Sequence, residues 1–406
     1  MPDAVIVAAV RTPIGRAHQG CLTAVRADDL LARTVAEAVA RVRGLDPAAV
    51  DDLVVGCALP GGEQGFGIAR ITAVLLGWDR VPGVTVDRGC ASSLHAVRTA
   101  AQAVRGGDAE VVVAAGVESA SRLPHGDRDP WPGAANGVFD TARRRTAVRS
   151  GPGAARWTDP RAGLAPPDPY LPAGLAAENT ADVHGISRAD MDAYAARSHR
   201  LARQALAQGF HLGDIIPVKG PDGATAGYDD GPGAGVSAAG LALLPPLFRP
   251  DGRVTAGNSA PPADGAAAVV VMSEPYAWAH GHVPLARILA TGVAAATPET
   301  AGPAPAAATR TALERAGLSL AGIDTIAVNE PFAAQVLAYC AELDLAVDRV
   351  NPHGGSIALG EPHGATGARL TTGALTALRH EDLSTALVGV IAAGGQGMAM
   401  VLERTS

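Results

Sequence analysis

Apolar runs of strand length alternate with amphipathic stretches of helix length from the start of the chain: AVIVAAV at 4–10, ADDLLARTVAEAVARV at 27–42 and DDLVVGCAL at 51–59. That alternation predicts βαβ units around a largely parallel sheet buried on both faces. From 81 the chain reads VPGVTVDRGCASSLHAVRTAAQAVRGGDAEVVVAAGVES, which predicts a strand, a sharp turn at Arg88-Gly89-Cys90, a helix from about Ser92 to Val104, a Gly-Gly stop and another strand. From 347, VDRVNPHGGSIALGEPHGATGARLTTGALTALRHEDLSTALVGVIAAGGQG repeats the order strand, glycine turn, helix, strand, glycine turn. The chain therefore reads as a duplicated unit, two similar layers packed back to back.

A different region separates the halves. Residues 123–171 are rich in Pro, Gly and Arg with little periodicity, and 175–209 return to a helical pattern in which Ser187 and Asp190 form a capping box. Strand character resumes at GAAAVVVMS, 265–273. The expected organisation is a first half at 1–122 and 244–278, an inserted cap at 123–243 and a second half at 279–406.

Composition narrows the function classes. The 406 residues are 48% apolar and 18% charged with 49 glycines, which suits a tightly packed α/β chain and excludes a disordered one. A net charge of −7 argues against a broad nucleic-acid face, and no apolar run approaches a membrane span. The opening residues carry no leader pattern, so the expected compartment is the cytoplasm. Cys21, Cys57, Cys90 and Cys340 are widely spaced, without a CxxC pair, so neither a metal site nor a redox couple is expected.

Cys90 stands out by position. A cysteine at a strand-to-helix turn meets unpaired N–H groups and the helix dipole, which favour a thiolate and can hold a thioester oxygen. The alternative is a buried structural thiol.

The segments VDRGCASSLHAV, TAGNSAPPADGAAAVVVMS, VNEPFAAQ, VNPHGGSIALGEPHGATGARL and AAGGQGMAMVLER, in order across nearly the whole chain, resemble the thiolase family. The resemblance implies an α/β thiolase fold, a five-layered αβαβα sandwich, assembled as a homodimer or homotetramer. It implies a coenzyme A thioester as substrate and no permanently bound cofactor. Cys90 then matches the acyl-accepting cysteine, its backbone N–H forming one oxyanion hole with that of Ala393. Asn329 matches the asparagine that holds a water in the other oxyanion hole, and Ser259 and Phe332 match positions lining the coenzyme A tunnel.

The departures bear on the chemistry. Where the family has GHP this chain has Gly360-Glu361-Pro362, and where it has a second, proton-moving cysteine this chain has Ile391. Smaller departures are Pro331, Ser93, His353 and Pro172. Glu361 is expected ahead of His363 as the catalytic group, either accepting the Cys90 proton or, protonated, donating to a thioester oxygen. Its alternative role is to cap the helix that follows. His363, two residues further round a turn that redirects its side chain, is the second candidate for the catalytic group, and His353 is a further candidate that can pair with Glu361. His95 is expected on a helix flank, Cys340 in a core, and Arg143, Arg144, Arg145 and Arg149 on a solvated loop rather than on coenzyme A phosphates. GGEQGFGIAR at 61–70 does not open as a dinucleotide-binding turn.

With one proton-handling group absent and another altered, the favoured reading is acyl transfer from acyl-CoA through Cys90 to a small-molecule acceptor such as an amine, alcohol, thiol or activated carbanion, in specialised biosynthesis. Ordinary thiolase chemistry is the alternative. A catalytically silent acyl-CoA-binding subunit, scaffolding an active partner, is the alternative of another class.

Overall fold

The computed structural model describes residues 2–123 and 135–405; part of the Pro-, Gly- and Arg-rich stretch, 124–134, lies outside the described residues. The first half contains β1 (Ala4–Arg11), α1 (Ala27–Ala40), β2 (Asp52–Gly56), α2 (Ile68–Leu75), β3 (Gly83–Val86), α3 (Ser92–Gly106) and β4 (Val111–Ser119). The middle region contributes α4 (Asp140–Arg149), α5 (Ala173–His184) and α6 (Arg188–Ala207), and β5 (Ala263–Ser273) returns to the first half. The second half holds β6 (Ala286–Ala295), α7 (Pro303–Ala316), β7 (Thr325–Val328), α8 (Ala333–Glu342), α9 (Thr366–His380), β8 (Thr385–Ala392) and β9 (Gln396–Arg404).

The strands form one network in the order β7-β8-β9-β6-β1-β5-β4-β2-β3. Among the described residues, the strand pairing that carries the network from one half to the other is that of Val5 and Ile6 of β1 with Arg287 and Ala286 of β6. The expected largely parallel sheet is corrected: β2 is parallel to β3 and β4, and β7 to β8, while β5 is antiparallel to β1 and β4, and β9 to β6 and β8. The cause at one edge is local. Gly394 and Gly395 both adopt positive φ, which lets β8 turn directly into β9 as a hairpin. A second expectation fails at 347–352, where Val347–Arg349 is a 3₁₀ turn and Val350 makes a single bridge to Ile326 instead of a strand.

Period-two burial explains the layers. In β4, Val111 and Val113 pack on one side with Leu31 and Val35 of α1, whereas Val112 and Ala114 face Leu94 and Val97 of α3. That second core also takes Val388 and Val390 of β8 and Leu370 of α9, so α3 and α9 form a central helical layer between the two half-sheets. A third core packs the outer face of the second half, with Val328 and Leu387, against α7 and α8, and Met191 and Tyr194 of α6 join it. Of the helices of the middle region, α6 starts where the pattern predicts. Ser187 and Asp190 complete both bonds of the capping box at the N-terminus of α6. Among the described residues no helix is long and apolar enough to cross a membrane.

Candidate active site

The nucleophile turn is tied before the helix begins. Asp87 Oδ1 accepts from the Gly89 N–H at 2.7 Å, Gly89 turns the chain with φ of 54°, and Ser92 Oγ accepts from the Arg88 N–H at 2.8 Å. Cys90 is thereby fixed immediately before Ala91, the N-cap of α3, where the helix N-terminus favours an anionic sulfur. Arg88 Nη1 donates to Gln396 Oε1 at 2.9 Å, which joins this turn to the β8–β9 hairpin carrying Ala393.

The start of α9 approaches from the opposite half. A Cβ at Gly364 would lie 2.2 Å from the Val117 carbonyl, and one at Gly367 would lie 2.3 Å from the Leu94 nitrogen. Only glycine allows so close an approach. Ser93 Oγ, which the sequence marked as a departure, accepts from the Ala368 N–H at 2.9 Å and stitches the two helices together.

This approach sets His363 Nδ1 at 3.4 Å from Cys90 Sγ, so the imidazole that the sequence placed behind Glu361 is the one that makes the contact. The physical reason is that Glu361 bridges Pro262 and Pro362 is extended, with φ of −76° and ψ of 93°. In an extended segment residues two apart project to the same side, so Glu361 and His363 both face the nucleophile. Ligand atoms of Cys90, Glu361 and His363 all lie within 4.8 Å of one another.

Beneath them is Glu118, a fully buried group that carried no motif signal. Its Oε2 accepts from the Gly364 N–H at 2.9 Å and the Ala58 N–H at 3.1 Å, and its Oε1 from Gln64 Nε2. Burial raises its pKa, partly opposed by the His363 charge and these bonds. Glu118 fixes the backbone under His363. Only its place at the end of a continuously buried strand distinguishes it in the sequence.

Glu361 is 1% exposed. Its Oε1 accepts from Asn329 Nδ2 at 2.7 Å and from Thr366 Oγ1 at 3.4 Å. Asn329 is held in turn by the Ile391 backbone: Nδ2 donates to the Ile391 carbonyl at 3.0 Å and Oδ1 accepts from the Ile391 N–H at 2.7 Å. Both amide hydrogens of Asn329 are thus engaged by protein, which leaves neither for the water expected there. Arg369, buried on α9, adds a cation whose interaction with Glu361 partly offsets burial; its own pKa is lowered to about 10.

The remaining candidates separate. Ser259 bridges Phe332, and the neighbouring Pro261 carbonyl accepts from the Glu361 N–H at 3.0 Å, so both adjoin the carboxylate side of the site. The Ser259 hydroxyl donates to the Thr255 carbonyl at 2.7 Å. His353 does not pair with Glu361; it stacks on Phe210 and lies 2.6 Å from Glu381. His95 is on the flank of α3, where burial and then Arg88 and Arg98 lower its pKa to about 4. The arginines lie on α4 rather than a loop, Arg145 pairing with Glu299 and Arg149 donating to Thr158.

The thiols differ in reactivity. Desolvation and the Asp230 carboxylate push Cys21 up to about 12, and burial pushes Cys340 up to about 12. Iodoacetamide at about pH 8 is therefore expected to alkylate Cys90 ahead of the more exposed Cys21. Peptide mapping after limited labelling checks this; first modification at Cys21 would contradict it.

Comparison with known proteins shows the family. Residues 4–275 match the thiolase N-terminal domain and 282–404 the thiolase C-terminal domain. The β-ketoadipyl-CoA thiolase of Acinetobacter baylyi is 39% identical over 411 residues, covering 100% of both chains. That of Pseudomonas aeruginosa is 40% identical over 410 residues, covering 98% of each. Among solved structures, the Bacillus anthracis acetyl-CoA acetyltransferase superposes with a TM-score of 0.86 at 35% identity, covering 100% of this chain and 99% of that one. Human mitochondrial 3-ketoacyl-CoA thiolase in complex with CoA gives a TM-score of 0.86 at 32% identity, covering 100% and 98%. Relatives alike over their whole length are named as ordinary thiolases, which overturns the expectation of acyl transfer by a non-standard mechanism to another acceptor. Thiolase-family enzymes are acyltransferases acting on CoA thioesters, and by both halves of its length this chain belongs to the thiolase family.

Proposed function

We propose that the protein is a thiolase, an acetyl-CoA C-acyltransferase that cleaves a 3-oxoacyl-CoA with coenzyme A to acyl-CoA and acetyl-CoA, and runs the reverse condensation. The observation that carries this reading is Cys90 at the start of α3 with His363 Nδ1 at 3.4 Å, in a chain whose full-length relatives are thiolases.

In this reading His363 accepts the Cys90 proton and the resulting imidazolium stabilises the thiolate. The thiolate attacks C3 of the 3-oxoacyl-CoA, the C2–C3 bond breaks, and the acyl group stays on Cys90 while acetyl-CoA leaves after Cα is protonated. Coenzyme A thiolate then takes the acyl group and Cys90 is regenerated. The N–H groups of Cys90 and Ala393 are the donors we assign to the thioester oxygen. We assign the lining of the pantetheine path to Ser259 and Phe332, supported by their bridge to each other next to the Pro261 carbonyl that accepts from the Glu361 N–H.

The relatives' names make 3-oxoadipyl-CoA the first substrate to try, with acetoacetyl-CoA beside it. Acetyl-CoA released in the presence of coenzyme A measures the activity; no release from any 3-oxoacyl-CoA would defeat the proposal. His363→Gln is expected to lower thiolysis by roughly 10²- to 10⁴-fold and to slow alkylation of Cys90 at neutral pH. Unchanged alkylation would remove His363 as the partner of the thiol.

A further inference from the structure

Thiolysis needs a second proton-moving group. When C2–C3 breaks, the electron pair left on Cα of acetyl-CoA must be protonated, and in the condensation direction that proton must be removed. Cys90 carries the acyl group at that moment, and His363 is held against its sulfur. Ile391 supplies only hydrocarbon from its side chain. Among the described residues, the one cluster of His, Cys, Asp and Glu ligand atoms at this place contains a single further member, Glu361.

Resting on the thiolase reading above, we infer that Glu361 is the catalytic acid and base for the Cα proton. Its two oxygens are unequal. Oε1 accepts from Asn329 and Thr366, whereas Oε2 is sealed from solvent and has no hydrogen-bond partner among the described residues. A buried carboxylate oxygen without a partner is costly, and the cost is relieved when a reactant brings the missing proton. The Ile391 backbone holds Asn329 at both amide atoms, so the carboxylate is aimed by a chain of short bonds. Asn329 is a positioning residue in this scheme.

The proton balance closes over the cycle. In the first half-reaction the protonated Glu361 carboxyl gives its proton to Cα as C2–C3 breaks, leaving the carboxylate and acyl-Cys90. In the second, the carboxylate takes the thiol proton of coenzyme A; the thiolate attacks the acyl carbon, and the Cys90 sulfur departs as thiolate beside the His363 imidazolium. Glu361 is again protonated. No oxidant or metal is consumed.

The decisive comparison uses Glu361→Gln, which preserves shape and still accepts from Asn329. With acetyl-CoA in deuterated buffer, Cα exchange is followed by mass spectrometry of the recovered thioester and acylation of Cys90 by intact protein mass. Acylation is expected to stay within about tenfold of the parent, because a thiolate is a good leaving group that gains little from the proton Glu361 returns to it, while Cα exchange and thiolysis fall roughly 10²- to 10⁴-fold. Glu361→Asp, retaining a carboxylate, should exchange at least about tenfold faster than the glutamine variant. Exchange persisting in Glu361→Gln while the parent also exchanges overturns this assignment alone. So does loss of acylation together with exchange, or an aspartate variant no faster than glutamine. A parent protein with neither exchange nor thiolysis would instead overturn the proposed function, and this inference with it.

Discussion

Cys90→Ser is expected to abolish thiolysis, with a loss of roughly 10⁴-fold or more, and to leave the fold intact. The fold survives because the turn is held by bonds the substitution does not touch: Asp87 to the Gly89 N–H, Ser92 to the Arg88 N–H, and Ser93 to Ala368. The chemistry fails because His363 and the N-terminus of α3 can stabilise a thiolate but not an alkoxide, whose conjugate acid is far weaker. An oxygen ester formed slowly would also resist coenzyme A thiolate better than a thioester does, so any acyl-serine should accumulate. Acetyl-CoA release and intact mass after incubation with 3-oxoacyl-CoA test both halves of the argument. A variant keeping more than about a hundredth of the parent rate would show that another group carries the acyl chain.

How far the sequence predicts this site depends on whether local chemistry or long-range packing decides each residue. The Arg88-Gly89-Cys90 turn and the start of α3 at Ser92 follow from glycine, spacing and periodicity, all local. The Ser187–Asp190 cap is equally local and forms as expected. Which side chain meets Cys90 is not local. The motif draws attention to Glu361, yet an extended Glu361-Pro362-His363 segment sends both side chains the same way, and the imidazole makes the contact. That conformation follows from the bridge to Pro262, a residue nearly a hundred positions earlier in the chain.

Asn329 teaches the same lesson from the other direction. Its identity is legible from the sequence around it, but its hydrogen-bond partners are set by β8 and by Glu361. A histidine at 361 would not have offered a carboxylate to that amide, so one substitution changes what its neighbour can hold. Glu118 was invisible because nothing in its strand marks a buried carboxylate as a support for a turn far along the chain. The parallel-sheet expectation failed for a related reason. Apolar runs report burial on both faces, which antiparallel strands between helical layers share with parallel ones.

The largest stability effect is expected at a different buried charge pair. Arg11 and Asp229 are 2% and 5% exposed at their side chains and form a bidentate pair, Nη1–Oδ1 at 2.7 Å and Nη2–Oδ2 at 2.9 Å. Asp229 Oδ1 also accepts from the Ile14 N–H at 2.8 Å, so the pair fastens the returning middle region to the end of β1. Burial would raise the Asp229 pKa, but the Arg11 guanidinium outweighs it and holds the carboxyl below its ordinary value. The folded pKa is depressed, so the stabilisation is present above the ordinary carboxylate range and is lost as pH falls through the folded value. Asp229→Ala leaves the Arg11 cation buried without its partner, which costs about 3–5 kcal/mol. A fall of several degrees in the melting midpoint at neutral pH, shrinking as the buffer is made more acid, is the expected result. Combining Arg11→Met with Asp229→Leu removes both charges and should recover at least about half of the loss, because the cost lies in the unpaired ion rather than in the missing attraction. A double variant as unstable as Asp229→Ala would place the damage in the freed Ile14 N–H and the cap it anchors.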